Sequence, residues 1–474
     1  MAQEIKTDIC IIGAGSGGLS VAAGAQQMGS ETVLIEKDKM GGDCLNTGCV
    51  PSKALLAAGH AAEAMRDGQR FGITAGTPKV DWAQVHAHVH GAIATIEPND
   101  SVERFESLGV NVIQSEGRFI DRRTVEAGNT RIIARRFVIA TGSSALVPPI
   151  AGMEDVPYLT NESVFKLKEL PRHLIVVGGG PIGLEMAQAF RNLGASVTVL
   201  EMFSIMPKDD LDLVDVIRKK LIAQEINVRE GVKVIRLEKS TGGITVFVEK
   251  DGKEKALEGS HLLIAAGRKA NVDGLGLEQA GVDYARTGIT VDARLRTTNK
   301  KIFAIGDVAG GPQFTHMAGY HAGIVIRNAL FRLPAKSDIR ALPWVTYTDP
   351  ELAQVGLTEA EAKKQGADHK VLTWHFEEND RAIAEGNTDG FIKAIVTPKG
   401  HILGAGILGP HAGELIQTWV LAMSNKLKIG AIAGMISPYP TLGEISKRAA
   451  GSFYTPSLFS KRTKMIVRFL SRFG

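Results

Sequence analysis

Two stretches of the chain repeat one order of apolar and polar positions. Near the start, TDICII is a β-branched run ending in a glycine turn, LSVAAGAQQMG follows with helix-forming composition, and ETVLIE returns as a second apolar run closed by Glu36. The same order recurs as HLIVV, LEMAQAFRNLG and SVTVLE, closed by Glu201. Each copy predicts strand, helix, strand. Both turns read G-x-G-x-x-G, at Gly13, Gly15 and Gly18 and at Gly178, Gly180 and Gly183, and in both the acid stands 23 residues after the first glycine. A βαβ unit uses such glycines for a tight turn and for close approach of the backbone to a pyrophosphate at the helix N-terminus; its acid meets the ribose hydroxyls. Two dinucleotide sites are expected, an internal repeat that suits an electron path with two nucleotide cofactors.

With 53 glycines, composition alone yields about 0.7 chance matches to this pattern, so context has to separate signal from noise. A third match, Gly404, Gly406 and Gly409, has Leu427 where the acid would stand, and is read as a glycine-rich turn. VHAHVH places His86 and His90 one helical turn apart with His88 between them; lacking a third ligand, it reads as a solvated or interface helix rather than a metal site. At the end of the chain, Leu458, Phe459, Met465, Ile466, Phe469, Leu470 and Phe473 recur at near-helical spacing among Lys461, Arg462, Lys464, Arg468 and Arg472. This stripe is expected to pack on the protein or on a dimer partner, with a helix lying on anionic lipid as the alternative. No apolar run approaches the ~18 to 20 residues of a membrane span, and the first residues read as a strand rather than a signal peptide, so a cytoplasmic protein is expected.

At 474 residues, 44% hydrophobic and 22% charged, the chain has room for about three domains. Its net charge of +4 is a property of the tail: residues 455–474 carry five cations and no acid, leaving −1 for the other 454 residues. That distribution argues against a nucleic-acid-binding body. Of three cysteines, Cys10 lies within the first apolar strand and reads as a buried small hydrophobe, while Cys44 and Cys49 stand together in GGDCLNTGCVPSK. Three cysteines make no disulfide scaffold, and in a reducing compartment a close pair points to catalysis or metal binding. A zinc site needs about four ligands and finds too few here. The pair follows closely on the unit that ends at Glu36, so it should lie near whatever dinucleotide that unit binds; with FAD there, it would be a redox couple. A helix starting after these glycines would help to hold a thiolate. In the second unit, Glu201 suits two free ribose hydroxyls and repels a 2′-phosphate, favouring NAD(H) over NADP(H), with nearby Lys208 as the counterweight.

With these motifs in place, the chain resembles the pyridine nucleotide-disulfide oxidoreductases, the family that includes dihydrolipoamide dehydrogenase, glutathione reductase and mercuric reductase. GGDCLNTGCVPSKAL is similar to the family's active-site segment, with Asp43 where Thr is commoner. Further matches are ATG at 140–142, GGGPIGLEMA at 178–187, AAGRKAN at 265–271 and AIGDVAGGPQFTHMA at 304–318. The resemblance runs to about residue 450. It implies an α/β fold with two Rossmann-like domains, for FAD and NAD(P), and a C-terminal α+β dimerisation domain. The implied order is FAD binding (1–150), NAD(P) binding (151–270), a return to the flavin (271–342), the interface domain (343–455) and a basic amphipathic tail (456–474). It further implies a redox-active disulfide between Cys44 and Cys49, with Cys49 facing the isoalloxazine and Cys44 the substrate. Lys53 is expected beside the flavin ring, paired with Glu185, and Asp307 at the ribityl or pyrophosphate region; Thr141, Gly142 and Gly267 belong to the cofactor-binding motifs. The family acts as homodimers in which one subunit's C-terminal domain completes the other's active site. His411, in GPHAGELI, falls in that domain and is expected to pack at the interface.

One departure bears on the reaction. Thiol-using branches bring a His, followed five residues later by a Glu, as the acid/base; here SPYPTLGE puts Tyr439 in the His position and keeps Glu444. A histidine near pKa ~6.5 trades protons at neutral pH, whereas a tyrosine near ~10 is only about 0.1% ionised. Efficient dihydrolipoamide oxidation is therefore not expected. Mercuric reductases resemble the chain in carrying this tyrosine, and thiolates capture soft metal ions without a histidine base. Their C-terminal cysteine pair is missing, since no cysteine follows Cys49. The expected acceptor is a thiophilic metal ion, a small disulfide or a quinone; the alternatives are a dihydrolipoamide dehydrogenase and a membrane-docked electron-transfer partner protein.

Overall fold

The computed structural model describes residues 3–473 and resolves two compact units. The first comprises Met1–Met65, Thr77–Met202 and Gly231–Asp338; the second comprises Arg66–Gly76, Phe203–Glu230 and Ile339–Gly474.

In the first unit, the strand Gln3–Ile12 lies at the centre of a seven-stranded sheet. It runs parallel to Thr32–Glu36 on one side and to Thr130–Ile139 on the other, and Ile302–Ala304 also pairs with Thr130–Ile139. Ile9 and Ile11 enter one apolar cluster with Leu19, Val21 and Ala22 of the following helix, while Cys10 and Ile12 enter another with Phe119 and Phe137. A strand buried on both faces needs an unbroken apolar run rather than an alternating one, which is why TDICII reads as it does. Cys10 is fully buried, as its place in that run predicts. The second copy repeats the plan: His173–Val177 lies between Ser196–Leu200 and His261–Ile264, all parallel. Its Ile175 and Val177 pack with Leu237, Ile244 and Val246 of an antiparallel three-stranded sheet.

The second unit is built on a five-stranded antiparallel sheet, in spatial order Pro343–Thr346, Glu351–Gly356, Ile402–Gly409, Phe391–Val396 and Lys370–His375. Helices cover it through a core that includes the fully buried Trp419, whose Nε1 donates to Ser446 Oγ at 3.0 Å. Here the third glycine match is corrected. Gly404, Gly406 and Gly409 lie in the strand Ile402–Gly409, not in a turn. A side chain at Gly404 would strike the Leu357 carbonyl, and one at Gly409 the Phe376 ring, so these glycines permit close packing across the sheet.

The helix Trp82–Ile96 brings His86 and His90 onto one face, with ring centroids 4.1 Å apart and His90 Nε2 3.0 Å from the Phe165 carbonyl. His411 is exposed and adopts a left-handed backbone conformation, with φ +55°. The tail forms the helix Lys461–Leu470, but its stripe does not pack on its own chain. From Leu458 to Phe473, the large apolar residues are 46% to 74% exposed, so this part of the packing expectation is corrected. Among the described residues, no helix is long and apolar enough to cross a membrane.

Candidate functional site

The two glycine turns share one geometry. Gly13 has φ +103°, and a Cβ there would lie 2.5 Å from the Ala140 carbonyl oxygen; Gly178, with φ +118°, meets the Ala265 carbonyl in the same way. In each copy, therefore, the turn after the central strand presses on the end of a neighbouring parallel strand. Side chains at Gly18 and Gly183 would run into the backbone of Gly13 and Gly178. Gly15 and Gly180 differ: a Cβ at either would meet no atom nearer than 4.0 Å. Each is the N-cap of a 12-residue helix that has no side-chain cap and no acid in its first turn. Open backbone at an uncapped helix N-terminus fits a pyrophosphate. The acids brace the turns: Glu36 Oε2 accepts from Ala14 N at 2.6 Å, and Glu201 Oε2 from Gly179 N at 2.7 Å.

The cysteine loop rests on the first turn. Gly41 N donates to the Ala14 carbonyl at 3.0 Å, and a Cβ on Gly42, which has φ +59°, would lie 2.7 Å from Gly15 Cα. Cys44 lies on the short helix Gly42–Asn46, half-buried, and Cys49 begins the helix Cys49–Asp67, exposed. Both are free thiols in hydrogen-bond contact. That bond polarises the pair. Accepting from Cys44 pulls Cys49 down to about 6, with desolvation opposing and Thr315 and Lys53 assisting; Cys44, as the donor and partly desolvated, is pushed up. Thr315 Oγ1, at the start of the helix Thr315–Ala329, stands 3.3 Å from Cys49 Sγ. The site thus favours a Cys49 thiolate beside a protonated Cys44 at neutral pH.

Lys53, four residues into the helix that Cys49 starts, donates to Glu185 Oε2 at 2.8 Å. Glu185 is buried on the helix Pro181–Asn192, and Gly59 lets the two helices close in, since a Cβ there would lie 3.3 Å from Ala189 Cα.

A polar chain crosses the rest of the site. Asp43 accepts from Thr47 Oγ1 (2.7 Å), Asn161 Nδ2 (2.8 Å) and Arg268 Nη2 (3.0 Å). Arg268 Nε also donates to Ser143 Oγ at 2.7 Å, and Ser143 Oγ donates to Asp307 Oδ2 at 2.5 Å. Burial raises the Asp307 carboxyl above its ordinary range, opposed by the Ser143 bond and the Arg268 charge. Next to it, Gly306 N donates to His321 Nδ1 at 3.2 Å, and burial pulls His321 down to about 4, keeping it a neutral acceptor. Thr141 Oγ1 donates to the Asn271 carbonyl at 2.8 Å, and Asn271 N to the Gly142 carbonyl at 3.0 Å, so ATG and AAGRKAN meet. Just beyond them, Leu146 N donates to the Gly267 carbonyl at 2.9 Å. The first unit therefore carries Cys44, Cys49, Lys53 and Glu185 on helices, and Thr141, Gly142, Gly267 and Asp307 on the segments that follow its strands. Sequence reasoning gave no role to Thr315, Ser143, Asn161 or Arg268, although Thr315 and Arg268 lie inside quoted motifs.

In the second unit, Tyr439 is exposed and its hydroxyl donates to Asp380 Oδ2 at 2.7 Å. That bond raises the tyrosine further above its ordinary pKa, with the nearby Glu444 charge adding to the effect. Asn379, adjacent to Asp380, donates from Nδ2 to the Thr441 carbonyl at 3.1 Å and so ties down the same loop. Glu444 begins the helix Glu444–Ser452, with its Oε1 3.6 Å from Arg448.

Known proteins share this layout. Residues 7–322 match the pyridine nucleotide-disulphide oxidoreductase family, and residues 342–450 match its dimerisation domain. A mercuric reductase of Staphylococcus aureus is 36% identical over 449 residues, covering 94% of this chain and 82% of that protein. A dihydrolipoyl dehydrogenase of Geobacillus stearothermophilus is 35% identical over 454 residues, covering 94% and 96%. Among solved structures, the Cu(II) complex of the HOCl-induced flavoprotein disulfide reductase RclA from Escherichia coli superposes with a TM-score of 0.83 at 30% identity, over 93% of this chain and 98% of that one. LpdA from Mycobacterium tuberculosis gives 0.86 at 27% identity, over 94% and 99%. The chain belongs to the pyridine nucleotide-disulphide oxidoreductases, a family of FAD-dependent enzymes that work with a pyridine nucleotide and dimerise through the C-terminal domain.

Proposed function

We propose that the protein is an NADH-dependent oxidoreductase that passes electron pairs through Cys44 and Cys49 to a thiophilic metal ion, Hg(II) or Cu(II). The observation that carries the choice of acceptor is the Tyr439–Asp380 bond. A phenol held above its ordinary pKa by a carboxylate is ionised even less at neutral pH than an ordinary tyrosine, and dithiol oxidation by a lipoamide-type substrate needs an available base there. A thiophilic metal ion needs none, because the thiolate is itself the ligand. Two similar proteins, one a mercuric reductase and one a flavoprotein disulfide reductase in complex with Cu(II), support the same class.

The open glycine turn at Gly15, with Glu36, Lys53, Thr141, Gly142 and Asp307, would hold FAD, and the turn at Gly180, with Glu201 and Gly267, would hold the nicotinamide dinucleotide. Bound FAD supplies hydride acceptance from the nicotinamide and two-electron reduction of the Cys44–Cys49 disulfide. Lys53, fixed by Glu185, presents a positive charge beside the thiols and favours the Cys49 thiolate. Cys44 keeps its proton until the acceptor arrives. The thiolate–thiol pair then gives up two electrons and the one proton on Cys44: one Hg(II) becomes Hg(0), or two Cu(II) become two Cu(I), and the disulfide re-forms. Glu201 carries a negative charge at the end of the second strand, which suits free ribose hydroxyls and repels a 2′-phosphate, and this supports NADH as the donor.

Steady-state oxidation of NADH and of NADPH against Hg(II), Cu(II), oxidised glutathione, a quinone and lipoamide tests this reading. Metal-dependent turnover with NADH preferred, lost in both Cys44→Ser and Cys49→Ser, is the expected result. Lipoamide turnover equal to the metal rate would make the protein a dihydrolipoamide dehydrogenase instead.

A further inference from the structure

The redox site makes no use of the last twenty residues, and the dimerisation-domain match stops at residue 450. We propose that the helix Lys461–Leu470 docks the protein on the surface of an anionic phospholipid bilayer. The helix is formed in the free chain: Ser460 Oγ accepts from Thr463 N at 3.2 Å, and the turn continues through Phe473 N, which donates to the Leu470 carbonyl at 3.0 Å. Its two faces are chemically distinct. Lys461, Lys464, Arg468 and Arg472 recur at i, i+3, i+7 and i+11, while Ile466, Phe469, Leu470 and Phe473 recur at i, i+3, i+4 and i+7 on the opposite side. Arg462 stands on the apolar side one turn before Ile466; from Ile466 onward that side carries no charge, with the Phe469 and Phe473 rings 5.1 Å apart edge to face, and none of these apolar residues is covered by the rest of the chain.

Charge selects the occupant. Five cations without an acid stand in residues 455–474, and the other 454 residues sum to −1, so a second copy offers no comparable excess of acids to receive them. An anionic bilayer offers both halves of the match: lipid head groups for the cations and an acyl boundary for the phenylalanines and leucines. Ten residues span about 15 Å, half a bilayer core, so the helix lies in the surface plane and does not cross it. Leu458 and Phe459, just before the helix, are exposed as well.

The test is vesicle sedimentation of the flavin-loaded holoenzyme. Phosphatidylcholine vesicles containing about 30 mol% phosphatidylglycerol are compared with pure phosphatidylcholine, in low salt and in about 0.5 M salt. Full-length protein is expected to sediment with the anionic vesicles and to be released by salt. A chain ending at Ser460 should stay in solution, with its visible absorbance and dimer mass unchanged. Lys461, Lys464, Arg468 and Arg472 each changed to Glu should together lower apparent affinity at least about a hundredfold, since one cation near such a surface is worth about fivefold. Equal sedimentation of the shortened and full chains would overturn the proposal. So would dissociation of the dimer on shortening, which would place the stripe on the partner copy.

Discussion

Thr315 is a small residue with a large lever. Its hydroxyl, 3.3 Å from Cys49 Sγ, joins the Cys44 thiol and the Lys53 charge in stabilising negative sulfur. Removing it weakens the charged form, so Thr315→Ala should raise the Cys49 pKa above about 6. The sign follows directly: the thiolate fraction at neutral pH falls, and alkylation of the reduced protein slows. The pH profile of iodoacetamide labelling reads this, with Thr315→Ser restoring the original midpoint; an unmoved midpoint in the alanine variant would refute the role. Cys44 and Cys49 are legible in the sequence as a close pair, and Lys53, Glu185 and Asp307 because each sits in a segment that resembles one of the family's motifs. Thr315 is not, because it meets Cys49 from 266 residues away. Asp380, 59 residues from Tyr439, is hidden for the same reason: hydrogen bonds of this range are fixed by the fold and leave no local pattern.

Turns and strands show how one string of letters serves different ends. All three G-x-G-x-x-G matches look alike, yet two close a strand–helix turn and the third lies within an antiparallel strand. What separates them in the sequence is the run that follows: an apolar strand ending in an acid for the first two, Leu427 for the third. Within a working turn, the glycines also divide by task. Gly178 holds φ +118° against the Ala265 carbonyl, so Gly178→Ala should cost at least about 1 kcal/mol of stability through backbone strain and steric conflict. Gly180 has φ −78° and open space at its Cβ, so Gly180→Ala should fold normally and raise the KM for NADH, its methyl entering the proposed dinucleotide site. Thermal denaturation and NADH kinetics on the two variants separate these outcomes; an unchanged KM in Gly180→Ala would remove the second turn from nucleotide binding.

Each compact unit draws on distant parts of the chain, and this is the level at which sequence reasoning sees least. In the second unit, Lys393 is 5% exposed and pairs with Glu359 (2.7 Å) and with Asp210 (3.0 Å) and Asp212 (2.6 Å), the last two 183 and 181 residues away. Arg70 Nη1 likewise donates to the Gly386 carbonyl at 2.6 Å. A lysine inside the apolar strand FIKAIV gives no hint of which acids will meet it. Lys393→Met should destabilise the protein by about 3 kcal/mol at neutral pH, because it strands the buried Asp210 carboxylate without its cation. Lys363 and then Lys393 hold Glu359 down at about 2, below its ordinary value. The stability this contributes is complete above about pH 4.5 and is lost as pH falls through about 2. The penalty of Lys393→Met, read from thermal midpoints, should therefore shrink in acid; a penalty independent of pH would assign the effect to packing alone. The broad architecture was readable because parallel strands buried on both faces write themselves as unbroken apolar runs, whereas ion pairs between remote segments do not.

The contact between Gly42 and Gly15 has a consequence for anyone redesigning this protein. With no room for a methyl group on Gly42, where the sulfur-bearing segment leans on the nucleotide turn, the two are mechanically one part. A graft that imports a foreign cysteine loop without its matching turn would misplace both sulfurs, so swaps between relatives have to carry the two together.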